Sequence, residues 1–422
     1  MNPDILTRVC DFFLGSRDFN GVLLGNLAAE LKLPAAELKR LVSELVRDEK
    51  MTLTFASHSV NPHIKRIRDL PTSDQLARLE SEDLYEMCGY PSADVVKAVI
   101  DLSRYATRPF TRRLALTEPQ LEPVFFDLDV LDRYYRDPRY DFEFHDFMGS
   151  ISLTSEHYES PGVAERDRVF LQTFGIGYSA NKERVVAVYL RYLSDLSPEH
   201  QQVWNAHVAA GRCSINGDYM RCSIIGDWPE YHSAYFAFVT EQAEINKLAA
   251  LIGKPGLFKE EYCEERPKGF CPMLRPTRRN FDDFVGLLDK MLSENINREF
   301  FKGDIPLEKR VERNDGTYET ERPGTIQLLE SWLSKRWRSA DGNDMAREIL
   351  APFRKVRKLR QSPAHSLRAD EFDRALPRQQ DDLVGETCRT LTSLRLILSS
   401  HPKAKSTYTP PDWLDGDKIV FY

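Results

Sequence analysis

The sequence predicts a multidomain α+β protein in three parts: an N-terminal module of three helices and a short hairpin, a central mixed α/β domain, and a C-terminal four-helix bundle. Three observations carry this. A chain of 422 residues is too long for one hydrophobic core. Helical apolar periodicity in the first fifty residues gives way to β-branched and aromatic runs in the middle. Past Pro272 the helical period returns. The apolar fraction of 41% and charged fraction of 29% are ordinary for a globular protein, which argues against disorder and collagen-like repetition.

In residues 1–70, Asn2 fits as the cap of a helix opening at Pro3, with Ile5, Val9, Phe12 and Phe13 on one face. A second helix fits GVLLGNLAAELK, where Leu23, Leu27 and Leu31 recur every four residues. The third, LPAAELKRLVSELVRDEK, opens at Pro34 and buries Leu38, Leu41, Val42 and Leu45. In MTLTFASHSVNPHIKRI, Thr52, Thr54 and Phe55 favour a strand and Asn61-Pro62 a turn, so a short hairpin is expected. This stretch resembles the winged helix-turn-helix domains of DNA-binding regulators. The resemblance implies a recognition helix exposing Lys39, Arg40, Glu44 and Arg47, with Lys65, Arg66 and Arg68 on or after the wing. Acids nearly match bases here, so DNA and a protein partner both remain open as what it binds.

Residues 71–115 read as a helical connector, with SADVVKAVIDLSRYA its clearest helix. Residues 116–275 read as a mixed α/β sensor or adaptor domain that could hold a partner protein. RVFLQTF fits a strand, and ERVVAVYLRYL fits either a strand or the start of a buried helix. SPEHQQVWNAHVAAG predicts a helix capped by Ser197 and stopped by Gly211. EYHSAYFAFVTEQAEINKLAALIG predicts another, ending at Gly253. From 276 to 400, NFDDFVGLLDKMLSENINREFF, TIQLLESWLSKRW, NDMAREILAPFRKVRKLR and RQQDDLVGETCRTLTSLRLILSS give four amphipathic stripes, which an antiparallel bundle buries most simply. Residues 401–422 form a tail.

The third of these helices ends in RKVRKLRQSPAHSL. Arg354, Arg357 and Arg360 share one side, and Lys355 and Lys358 widen the basic stripe. Pro363 cannot sit in a helix interior without costing about 3 kcal/mol, so the helix is expected to bend or end at Arg360 to Gln361 and return His365 beside Arg360. RQSPAH has the Arg-polar-x-x-x-His pattern and the helical setting of HEPN domains, small four-helix bundles of RNases, toxins and antiviral proteins. The resemblance covers about residues 279 to 400. It implies that two motifs meet across a homodimer and cut RNA without a metal. Arg360 would stabilise charge developing on the scissile phosphate, and His365 would exchange protons with the ribose 2′-OH and the leaving oxygen. Gln361 would support them, and Arg354, Lys355, Arg357 and Lys358 would form an RNA track.

Other features are weaker. A formal charge of −7 gives no global signature of a nucleic-acid binder, so any such surface must be local. No run of about 18 apolar residues occurs, which predicts a cytoplasmic protein without a membrane anchor. Seven cysteines without CxxC spacing read as reduced thiols. In RYDFEFHDFMGS, an extended chain would put Asp141, Glu143 and His145 on a solvated face and Phe142 and Phe144 in the core. The recurring Arg-Cys-Ser in GRCSINGDYMRCSIIGDW reads as two β-turn units around Gly217 and Gly226. Gly175 and Gly177 could touch a phosphate but lack a full glycine fingerprint. The expected function is a metal-independent, cofactor-free endoribonuclease of bacterial antiviral defence or stress response. The rival is a non-catalytic DNA-binding regulator or assembly protein whose bundle only dimerises.

Overall fold

The computed structural model describes residues 3–59, 61–160, 162–312, 318–338, 344–361, 369–415 and 418–422. They form a mixed α/β protein of two compact units. One comprises Met1–Glu143 and Met148–Ile224, the other Phe144–Phe147 and Ile225–Tyr422. Among the described residues, no helix is long and apolar enough to cross a membrane.

The first unit begins with α1 (Pro3–Gly15), β1 (Val22–Leu23), α2 (Leu24–Leu31), α3 (Ala35–Arg47) and β2 (Met51–Phe55). Their apolar faces meet in one core: Ile5 and Val9 of α1, Leu24 and Leu27 of α2, and Leu38, Val42 and Leu45 of α3. Phe12, expected on that face, is 43% exposed, while Phe13 is buried. Among the described residues, no hairpin strand follows Phe55 where one was expected. β2 pairs antiparallel with β3 (Met87–Pro91), Met51 opposite Pro91 and Phe55 opposite Met87, and β1 takes the other edge of β3. The place of a wing strand is taken by α4 (Thr72–Ser81), whose buried Gln75 accepts the Leu53 N–H at 2.9 Å through Oε1. The boundary at residue 70 is therefore corrected: β3, inside the expected connector, is the central strand of this small sheet.

After α5 (Ala93–Val99), a 3-10 turn at Leu102–Tyr105 and α6 (Pro109–Ala115), the chain builds a six-stranded sheet. Its strands are β4 (Pro123–Phe126), β5 (Tyr140–His145), β6 (Met148–Leu153), β7 (Phe170–Ser179), β8 (Arg184–Tyr189) and β9 (Cys213–Ile215). They run in the order β4-β8-β7-β6-β5, with β9 also paired to β7. Short helices α7 (Asp132–Arg136), α8 (Ser155–Tyr158), α9 (Leu190–Ser194), α10 (Pro198–Ala206) and α11 (Gly217–Met220) fill the connections. β5 alternates as its pattern requires, with Tyr140, Phe142 and Phe144 buried and Asp141, Glu143 and His145 exposed. Ser197 caps α10 by accepting the His200 N–H.

Two expectations fail here. The first Arg-Cys-Ser leads into β9, but the second lies in a π-helical turn at Arg221–Ile225, so the repeat is not two equivalent turns. Gly175 and Gly177 sit within β7. A Cβ at Gly175 would lie 2.1 Å from the Tyr219 ring, and one at Gly177 would lie 2.9 Å from Phe125 and the Ser214 carbonyl. Close packing, not a phosphate, accounts for both glycines.

The second unit is a helical bundle: α12 (Ala234–Leu251), α13 (Arg278–Asp289), α14 (Thr325–Arg336), α15 (Ala346–Ile349), α16 (Ala351–Gln361) and α17 (Leu376–Ser399). Two-residue strands β10 (His232–Ser233) and β13 (Ile419–Val420) pair in parallel, and β11 (Lys309–Glu312) and β12 (Tyr318–Glu321) form a hairpin. The boundary at residue 276 is corrected, because α12 shares one core with α13, α14, α16 and α17. It is buried nearly all round, even at Glu241, Gln242 and Glu244, and such a helix must be enclosed by others. The helix expected over 343–360 is broken between α15 and α16, where Pro352 lacks a backbone donor. α13 likewise stops at Asp289 and continues as a π turn, Lys290–Glu294, and a 3-10 turn, Arg298–Phe301. The segment expected as a tail packs on the bundle through Ala404 and Leu414.

Candidate active site

The basic helix α16 is placed by its apolar residues. Phe353 and Val356 are buried and Leu359 half-buried, at i, i+3 and i+6, so the intervening cations point toward the neighbouring helices or solvent. Arg360 donates through Nη1 to Asp289 Oδ2 at 2.5 Å and also pairs with Glu294. One turn earlier, Arg357 Nε lies 3.3 Å from Asp289 Oδ1, and its Nη2 donates to Ser293 Oγ at 2.9 Å. Asp289 is fully buried and accepts from the Ser293 hydroxyl as well. The π turn after α13 gathers Asp289, Ser293 and Glu294 on the side facing α16, a local widening often found at functional sites. Thr325 Oγ1 locks that turn by donating to the Ser293 carbonyl at 2.5 Å.

Two guanidiniums thus meet two carboxylates, which removes the repulsion expected of arginines three residues apart. The hydrogen bond from Arg360 holds the Glu294 carboxyl below its usual range, and Glu294 and Asp289 together raise the Arg360 guanidinium. Arg360 reaches both acids through Nη1, so its Nε and Nη2 donors have no partner among the described residues. The side chain is 33% exposed.

The rest of the basic stripe is largely committed. Arg354 pairs with Glu330 of α14 and donates to the Arg347 carbonyl at 2.9 Å. Lys355 lies 2.8 Å from Glu386 of α17. Lys358 is exposed, with no partner among the described residues, and so is Gln361, the last residue of α16. His365, together with Pro363, lies outside the described residues.

No protein-family model, curated protein or solved structure matches the chain.

The residues expected to contact DNA divide in two. Lys39 donates to the carbonyls of Glu80 and Glu82 at 2.9 Å each, closing the C-terminal end of α4. Lys65 donates to the Thr117 carbonyl at 3.1 Å and is only 12% exposed. Both therefore serve packing within the first unit. Arg40 pairs with Glu44 at 2.7 Å on the exposed side of α3, Arg47 is exposed, and Arg66 donates to the His58 carbonyl at 2.6 Å. Because α4 packs beside α3, the outer face of α3 left to a ligand is narrower than the sequence implies.

Sequence reasoning missed Asp289, Ser293, Glu294, Glu330 and Glu386. The signal that could have found them was physical: five cations in eleven residues of a bundle helix require counter-charges, and these had to come from neighbouring helices.

Proposed function

We propose that the chain is a metal-independent endoribonuclease acting as a homodimer through a HEPN-like bundle, with Arg360 and His365 as its catalytic pair. A bacterial antiviral or stress response is the setting that the resemblance implies. The observation that carries the reading is the posture of Arg360. A buried carboxylate, Asp289, fixes the guanidinium at the last turn of α16, five residues before His365, while leaving Nε and Nη2 to bind a ligand. A guanidinium oriented in this way offers a planar fork to non-bridging phosphate oxygens without first having to be ordered.

In the reaction, His365 of one protomer takes the proton of the ribose 2′-OH. The 2′-oxygen forms a bond to phosphorus, the bond to the 5′-oxygen breaks, and the imidazolium of the second motif protonates that oxygen. Arg360 stabilises the charge on the phosphate oxygens as the two bonds exchange. The products are a 2′,3′-cyclic phosphate and a 5′-hydroxyl. The N-terminal helices and small sheet, read as a winged helix without its usual wing, would bind DNA or a partner through Arg40, Arg47 and Arg66.

A second reading has its own support. Arg354, Lys355, Arg357 and Arg360 all find carboxylates on other helices, which is what a purely structural helix needs. On that reading the protein is a non-catalytic regulator or assembly protein.

Incubating purified protein with total RNA, with and without EDTA, separates the two. Cleavage that survives chelation and disappears in both Arg360→Ala and His365→Ala supports the nuclease. Intact RNA with wild-type protein, or cleavage unchanged in both variants, rejects it.

A further inference from the structure

The cations of α16 are mostly spent on carboxylates, but three arginines in the first unit are not. Arg104, Arg108 and Arg112 recur every four residues, from the 3-10 turn at Leu102–Tyr105 into α6. Arg104 and Arg112 are exposed and Arg108 half-buried, and none has an ion pair, side-chain hydrogen bond or ring contact among the described residues. The nearby acids are already engaged. Asp101 accepts from the Ser103 N–H and hydroxyl at 2.9 and 2.8 Å, Asp94 pairs with Lys97 at 3.2 Å, and Glu118 holds Arg113 at 2.8 Å. Those hydrogen bonds from Ser103, and then the charge of Arg104, hold the Asp101 carboxyl below its usual range, but no ion pair forms among the described residues, so three guanidiniums without a salt bridge lie within nine residues of a chain whose formal charge is −7.

The segment that carries them is also rigidly built. Gln201, completely buried on α10, accepts the N–H groups of Phe110 and Thr111 at 3.2 Å through Oε1. Its amide nitrogen donates to Thr111 Oγ1 and the Leu196 carbonyl at 2.9 Å and to the Ser194 carbonyl at 3.1 Å. Gln202 Nε2 reaches the Thr107 carbonyl at 3.4 Å. Two side chains of α10 therefore fix the backbone on both sides of Arg108. Phe110 and Leu114 anchor α6 in the core, so the arginine positions are fixed before any ligand arrives.

We propose that Arg104, Arg108 and Arg112 form a binding surface for the phosphodiester backbone of a single-stranded nucleic acid. Each guanidinium presents a fork to phosphate oxygens, and three such forks carried on one short anchored segment suit contacts to the phosphates of one flexible strand. Charge without base-edge contacts binds any sequence and weakens with salt. The surface goes beyond the nuclease reading, and it stands or falls separately, because binding is measured without cleavage.

The test is fluorescence anisotropy with a labelled 20-nucleotide single-stranded RNA, between 50 and 200 mM salt, on the full chain carrying His365→Ala. Arg104→Gln/Arg108→Gln/Arg112→Gln should weaken binding at least about tenfold at low salt and reduce the slope of log Kd against log salt by about 2, since each phosphate neutralised on a single strand adds roughly 0.7 to it. Replacing the three with lysine should restore most of the slope. An unlabelled DNA strand of the same sequence tells a backbone reader from an RNA-specific one: equal competition assigns the binding to phosphate alone, and weaker competition adds the 2′-hydroxyl. An unchanged Kd and slope in the glutamine variant, with unfolding temperature also unchanged, overturns the proposal. So does loss of binding on Arg40→Gln/Arg47→Gln but not on the triple substitution, or preferential displacement of the RNA by polyglutamate.

Discussion

Arg360 and Asp289 join the last turn of α16 to the end of α13 through an ion pair of 2.5 Å, with the acid fully buried and the base one-third exposed. Arg357 reaches the other oxygen of the same carboxylate. One buried acid therefore bridges two cations, with Glu294 as the second acid beside them, and its removal leaves both arginines to that exposed carboxylate alone.

Asp289→Asn should destabilise the helical unit by about 2 kcal/mol. Breaking a buried pair costs about 3–5 kcal/mol, and solvent screening of the partly exposed arginines reduces that figure. Thermal unfolding measures the loss, and an unchanged midpoint would show that the arginines are indifferent to the acid. Glu294 adds a pH dependence. Its folded-state carboxyl is held below the ordinary value of 4.5 by Arg360, so its stabilisation is complete above about pH 5 and lost as pH falls through the depressed value. The stability difference between wild type and Glu294→Gln should stay constant from pH 7 to 5 and shrink below 4.5.

His200 predicts a loss in the same direction but in a higher pH window for the first unit. Its Nδ1 accepts from the Tyr134 hydroxyl at 2.6 Å, and Trp204 Nε1 donates to that same oxygen at 3.0 Å. Burial, followed by the charge of Arg133, lowers its pKa from 6.5 to about 4, against the smaller opposing effects of a hydrogen bond to the Arg166 backbone and of Asp167 and Glu199. Between these values the unfolded chain binds a proton that the folded chain refuses, so stability falls as pH drops from 6.5 toward 4 and is flat above 6.5. The full effect is about 3 kcal/mol. Hydrogen-exchange protection of the α10 amides, corrected for intrinsic rates, should fall across this window in wild type and much less in His200→Gln. Equal pH dependence in both proteins would remove His200 as the cause.

A fourth prediction concerns the C-terminal segment. Arg395 of α17 is 1% exposed and donates to Glu241 of α12 at 2.7 Å, while its other nitrogens hold Asp415. Arg395→Ala leaves Glu241 buried with only the Thr392 hydroxyl, at 2.8 Å, and releases Asp415. The expected cost is about 3–5 kcal/mol. Limited trypsin digestion should cut sooner at Lys403 and Lys405, and a digestion pattern identical to wild type would rule out Arg395 as the clasp.

The parts of this fold that could be read from the chain are those whose cause is local. β5 alternates because successive side chains point to opposite faces, so Phe142 and Phe144 could be placed in the core from the sequence alone. The stripes of α3, α13 and α16 follow in the same way from a 3.6-residue period. The breaks at Pro352 and at Asp289 were weaker signals, one a missing donor and the other a π turn that no residue type announces.

Partner choice was not local. β3 reads MCGYP, with a glycine and a proline that disfavour strands, and becomes a central strand only because β1 and β2 arrive on its two edges. Gly175 and Gly177 resemble a ligand loop until Tyr219 and Phe125 fill the space beside them. The sequence by itself determined the helical stripes of α3, α13 and α16, the alternation of β5 and that Arg357 and Arg360 share a face. Tertiary structure alone decided that α12 joins the bundle, that Asp289 lies beneath both arginines, and that Arg104, Arg108 and Arg112 form no ion pair among the described residues. Periodicity is written in neighbouring residues, whereas the counter-charge that a guanidinium meets depends on which distant helix packs against its own.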